Sequence, residues 1–101
     1  MTNLLRETQA ALKSHKKTPT DVRFVMAYDK GVSWTEFATV ADIEYDGGYG
    51  GNEIATSLKV VGDDWWLERG EYDGSEWWEF KTLPVRPTST PTLNIHSGGR
   101  A

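Results

Sequence analysis

The sequence has no cysteine, which excludes disulfides, thiolate metal sites and thiol nucleophiles, and is compatible with a reducing compartment. It has two histidines, His15 and His96, one near the end of a basic N-terminal stretch and the other close to the C-terminus. That is a poor supply for a nucleophilic triad, which needs a base within reach of Ser or Cys. No apolar run reaches the length of a membrane span, and the N-terminus MTNLLRETQAALKSHKK is amphipathic and of mixed charge, unlike a basic-then-apolar signal peptide. The expected location is the cytoplasm, with no membrane contact. Basic residues are in the minority, 11 against 15 acidic, for a net charge of −4. A generic grip on a nucleic-acid backbone needs clustered Lys and Arg, so direct nucleic-acid binding is not expected.

What is present suits one small folded domain. The chain has 101 residues, 38% of them apolar and 26% charged, and its twelve aromatics weight the core heavily. Three of its four prolines fall at Pro84, Pro87 and Pro91, in a stretch rich in Ser and Thr. The expected organisation is a single α+β domain over residues 1–84 and a flexible tail over 85–101. Charge is unevenly placed: the first 23 residues carry five of the eleven basic residues, whereas residues 42–79 carry eleven acidic and two basic.

Residues 3–15 predict a helix, because Leu4, Leu5, Thr8, Ala11 and Leu12 fall on one stripe at helical spacing. His15, Lys16 and Lys17 supply cations at its C-terminal end. Thr18-Pro19-Thr20-Asp21 suits a single helical turn. Val22–Ala27 reads as a strand ended by Asp29-Lys30-Gly31. Ser33-Trp34-Thr35-Glu36 has capping-box spacing and opens a second helix whose Trp34, Phe37, Ala38 and Ala41 share a face. Asn52 could cap a short helix presenting Ile54, Ala55 and Leu58.

The segment from Asp63 to Phe80, DDWWLERGEYDGSEWWEF, holds four of the five tryptophans as two adjacent pairs. Gly62-Asp63 and Asp73-Gly74 both suit two-residue hairpin loops, which predicts a meander of strands near 58–61, 64–72 and 75–82. That register sets Val60 opposite Trp65, Leu58 opposite Leu67, Leu67 opposite Phe80 and Arg69 opposite Trp78. Leu58, Val60, Trp65, Leu67, Trp78 and Phe80 then share a core face, while Lys59, Trp66, Glu68, Gly70, Trp77, Glu79 and Lys81 share the other. Each Trp-Trp pair is thus divided between two faces.

On the second face Trp66 is expected between Lys59 and Lys81, an arrangement open to cation–π contact. Trp77 is expected to cover Gly70. Glu68 opposite Glu79 places like charges across a ladder, which is unfavourable unless a cation approaches. Trp66, Glu68, Trp77 and Glu79 are therefore candidate protein-binding residues if the face is bare. The competing expectation is that the N-terminal helix covers this face and all four tryptophans are core.

Other chemistry fits less well. Opposed carboxylates beside indoles bring a glycosidase to mind, but an open sheet face offers no cleft that excludes water, so no enzyme is expected. No EF-hand spacing is present, and no metal or cofactor is expected. Gly47, Gly48, Tyr49, Gly50 and Asn52 form a glycine-rich stretch that could line a site for a nucleotide or sugar, although it lacks the Walker and dinucleotide signatures.

The run DWWLERGEYDGSEWWEFKTLP, preceded by ADIEYDGGYGGNEIATSLKVVG and by the helix exit LKSHKKTPTDV, resembles a group of small proteins of unassigned function encoded in bacteriophages and prophages. The resemblance covers about residues 4–84, and its specific part is the double Trp-Trp hairpin. It implies action inside a bacterial cell, with a host or anti-phage defence protein as partner, and it assigns no catalytic residue.

Overall fold

In a computed structural model, residues 2–45 and 54–84 are described. Strand β1 (Thr2–Asn3) leads directly into helix α1 (Leu4–Ser14). Asn3 caps that helix by accepting a hydrogen bond from Arg6 N, and Leu4, Thr8 and Leu12 are its buried stripe. Lys17 N–H bonds the Leu12 carbonyl at 2.8 Å and Lys16 N–H bonds that of Lys13 at 3.0 Å. With Lys16 at φ 60°, these are the paired bonds that close a helix through a left-handed residue. A single 3₁₀ turn, Pro19–Asp21, follows at the expected place.

Strands β2 (Phe24–Ala27) and β3 (Lys30–Val32) form a hairpin, and Ser33 then caps α2 (Trp34–Ala41) by accepting from Glu36 N. Strand β4 (Glu44–Tyr45) pairs with β1, tying the end of α2 back to the start of α1. Strands β5 (Lys59–Val61), β6 (Trp65–Tyr72) and β7 (Ser75–Thr82) complete an antiparallel sheet of order β3-β2-β5-β6-β7. The fold is therefore α+β, as the sequence predicts. No helix among the described residues is long and apolar enough to cross a membrane.

Both helices pack on one face of this sheet. Helix α1 lies against β7, where Trp78 Nε1 donates to Thr8 Oγ1 at 2.9 Å and the His15 ring stacks on Phe80 at 4.0 Å. Helix α2 lies against β2 and contributes Phe37 and Ala41. Between helices and sheet sit Val25, Leu58, Val60, Trp65 and Leu67, all buried, with Trp78 and Phe80 packed at the margin. Full burial of an aromatic such as Trp65 is worth roughly 2–3 kcal/mol in transfer terms.

The second hairpin has the predicted register: Leu67 opposes Phe80 and Arg69 opposes Trp78. Its loop residues Asp73 and Gly74 have φ of 52° and 83°, the positive pair that a type I′ turn requires. The first hairpin departs from expectation. Val60 opposes Leu67 rather than Trp65, Lys59 opposes Glu68, and Val61 opposes Trp66. The loop is centred on Asp63-Asp64, with Gly62 N–H bonded to the Trp65 carbonyl at 2.8 Å. Gly62 is needed for a different reason than its backbone angle. A Cβ there would lie 2.1 Å from Trp65 Cε2, so the glycine makes room for the buried indole. Because the shift is two residues, every side chain keeps its predicted face.

Two further expectations are corrected. Asp29-Lys30-Gly31 is not a terminating turn: Lys30–Val32 is a strand, and the loop is Tyr28-Asp29 with Tyr28 at φ 56°. Ile54, Ala55 and Leu58 are not on a helix; Leu58 N–H bonds the Ala55 carbonyl at 3.1 Å in a turn that feeds β5. Asn52, the expected cap, lies outside the described residues, as do Gly47, Gly48, Tyr49, Gly50 and the tail from residue 85 onward.

Candidate functional site

Neither helix covers the second face of the sheet, and its rows can be written out from the register. One row runs Phe24, Val61, Trp66, Lys81; the next runs Met26, Lys59, Glu68, Glu79; the last pairs Gly70 with Trp77. Trp66 and Trp77 thus stand at opposite corners of the Glu68–Glu79 pair. Trp65 is 3% exposed, whereas Trp77 is 36% exposed and Phe24 on the same face is 41% exposed. Trp66 is half-buried among its neighbours. The expectation that α1 covers this face is overturned, because α1 is held on the opposite one by Thr8 and His15.

Each outer indole is fixed by the glutamate two residues further along its own strand. Trp66 Nε1 donates to Glu68 Oε1 at 2.6 Å, and Trp77 Nε1 donates to Glu79 Oε2 at 3.1 Å. Residues two apart in a strand point to the same face, so the spacing itself creates both bonds. The N–H donors partly offset the repulsion between the opposed carboxylates, and Lys81 Nζ adds an ion pair with Glu79 Oε1 at 3.7 Å. At these exposures that pair contributes little to stability.

Trp77 also lies over Gly70, as expected: a Cβ on Gly70 would meet Trp77 Nε1 at 2.4 Å. The expected lysine sandwich around Trp66 does not form, because Lys59 faces Glu68. The cation–π contacts among the described residues lie on the helix side of the sheet instead, Lys17 over Trp65 and Arg69 over both Trp78 and Tyr45.

Sequence reasoning placed Arg69 on the core face but missed what it does there. Its side chain is 2% exposed and stacks 4.7 Å over Trp78. Nη2 donates to Tyr45 Oη at 2.8 Å, Nη1 lies 3.4 Å from Glu7 Oε1, and Nη2 lies 3.6 Å from Glu76 Oε1. Tyr45 Oη in turn donates to Glu7 Oε1 at 2.6 Å. Burial and the Glu7 carboxylate push the Tyr45 phenol up to about 12, against the opposing effect of Arg69. Arg69 Nε is buried without a hydrogen-bond partner. The signal that could have revealed this cluster is the position itself, since an arginine on a core face needs carboxylates.

The arrangement limits the chemistry available. Among the described residues no three His, Cys, Asp or Glu side chains converge as metal ligands. The Glu68–Glu79 pair sits on an open surface with no walls to exclude water, a poor setting for the proton transfers of glycoside hydrolysis. No protein-family model, curated protein or solved structure matches the chain.

Proposed function

We propose that this chain is a non-enzymatic protein-binding module that docks through the outer face of β6 and β7, with Trp66 and Trp77 as anchors and Glu68 and Glu79 as partners for Arg or Lys. The observation that carries this reading is the diagonal placement of two indoles around a carboxylate pair on a sheet face that neither α1 nor α2 covers. Tryptophan is enriched among the residues that dominate interface energies, and rings already held by Trp–Glu hydrogen bonds lose little freedom on docking. Glu71 and Asp73, exposed at the β6–β7 turn, extend the acidic character of the same hairpin. A cationic partner surface would relieve the Glu68–Glu79 repulsion on contact.

The sequence resemblance to small phage and prophage proteins makes a host or anti-phage defence protein in the bacterial cytoplasm the proposed partner, and modulation of that protein the proposed outcome. The reading that uses Gly47, Gly48, Tyr49, Gly50 and Asn52 as a small-ligand site draws no support from the described residues.

The test is affinity capture from bacterial lysate with the wild type, Trp66→Ala, Trp77→Ala and Glu68→Gln/Glu79→Gln, each checked by thermal melt. A partner retained by the wild type, and weakened at least about tenfold by either tryptophan variant, supports the proposal. Weaker salt dependence in the double glutamine variant would show that the carboxylates meet cations. A partner bound equally by every folded variant would refute it.

A further inference from the structure

At the other end of the sheet from the tryptophan face, three features meet. Among the described residues strand β3 is the edge of the sheet, paired with β2 alone. The two-residue loop makes Ala27 and Lys30 the closing hydrogen-bonded pair, so the alternation of an antiparallel ladder directs the N–H and C=O of Gly31 outward, away from β2. Beside that edge, between the β2–β3 hairpin and α2, lies an apolar hollow of about 240 Å³. Val25, Val32, Phe37, Val40 and Leu58 line it, and Lys30 is its one charged residue among those described.

Nothing among the described residues explains a glycine at position 31. Its φ is not positive, and an added Cβ would meet nothing closer than the Val25 carbonyl oxygen at 3.8 Å. A glycine in a strand commonly marks a place where another backbone approaches closely. Lys30 forms no ion pair among the described residues, so a cation stands unneutralised at an apolar hollow. Val40, although apolar, is 68% exposed on the α2 side of the hollow.

We infer that β3 and α2 form a second docking site, for an extended peptide segment that adds as a strand along the Gly31 edge. Its backbone takes the two outward main-chain groups of Gly31, one bulky apolar side chain enters the hollow lined by Val32, Phe37 and Val40, and a carboxylate within two residues of it meets Lys30. Main-chain bonds supply affinity in such strand addition, while the pocket and the charge select the sequence. A three-residue strand offers a short edge, so binding is modest and depends on the hollow being filled. The site uses the opposite end and opposite face of the sheet from Trp66 and Trp77, and stands independently of the function proposed above.

Random heptapeptides displayed on a carrier are selected on the intact chain, and the enriched peptide is titrated into ¹⁵N-labelled protein. Enrichment of one bulky apolar residue with Asp or Glu within two positions is expected, together with fast amide exchange of Gly31 in the free chain and slow exchange in the complex. Gly31→Pro removes the outward N–H without touching the internal ladder, and Val40→Glu places a like charge at the mouth of the hollow. Each should weaken the peptide by about tenfold or more, while Trp66→Phe/Trp77→Phe leaves it unchanged. Three results overturn the inference: no enrichment, binding indifferent to both substitutions, or a Gly31 amide already protected in the free chain. In the last case, dependence on protein concentration would identify a second copy as the occupant, and independence a segment of the same chain.

Discussion

The indole of Trp77 lies across Gly70 so closely that a Cβ on that glycine would fall 2.4 Å from Nε1 and 2.8 Å from Glu79 Oε2. On the opposite face Trp65 treats Gly62 the same way, with the would-be Cβ 2.1 Å from Cε2. The two contacts differ in how far the ring can yield. Trp77 is at the surface and can swing outward, whereas Trp65 is enclosed. Gly70→Ala is therefore expected to cost about 1 kcal/mol and to displace the outer indole, and Gly62→Ala about 3 kcal/mol. Chemical denaturation of the two variants checks the order, and a larger loss at Gly70 would contradict it.

Arg69 is enclosed by Glu7, Glu76, Tyr45 and Trp78, and removing it withdraws the buried cation that two carboxylates now face. Arg69→Met is expected to destabilise the fold by about 3–5 kcal/mol. Urea melts of the variant beside the wild type provide the test. A loss under about 1 kcal/mol would show the cluster to be dispensable.

Tyr45 gives the alkaline limb of stability a definite direction. Its phenol is held up to about 12 from an ordinary value of 10.0, chiefly by burial and next by its bond to Glu7. The native state therefore keeps a proton that the unfolded chain loses, and this contribution is complete below pH 10 and lost as pH rises toward 12. Tyr45→Phe, which cannot ionise, should lose stability less steeply across that window. Parallel slopes for the two proteins would contradict the assignment.

Local signals carried much of the fold. Asp73-Gly74 fixed the second hairpin because both residues adopt the positive φ that the turn chemistry implies, and Ser33-Glu36 marked the start of α2 through its cap. Gly62 misled, since it serves a close indole contact rather than a turn angle, yet the slip was even and the faces survived it. The β2–β3 hairpin was hidden because Tyr28, not a glycine, takes the left-handed position. The Arg69 cluster joins residues 7, 45, 69 and 76, and no local pattern reports such a meeting. The candidate site was legible as a set, since Trp66, Glu68, Trp77 and Glu79 do share one face. The indole–carboxylate bonds that organise it depend on side-chain rotamers that the sequence does not display.

Each Trp-Trp pair is divided, one indole on the core side of the sheet and one on the outer face proposed to meet a partner. Acrylamide quenching of tryptophan fluorescence, comparing wild type with Trp66→Phe/Trp77→Phe and verifying both by thermal melt, tests it most directly. The double variant is expected to lose the readily quenched emission while its melting temperature stays within a few degrees of wild type. Weak quenching in the wild type, with early unfolding of the variant, would place all four tryptophans in the core and contradict it.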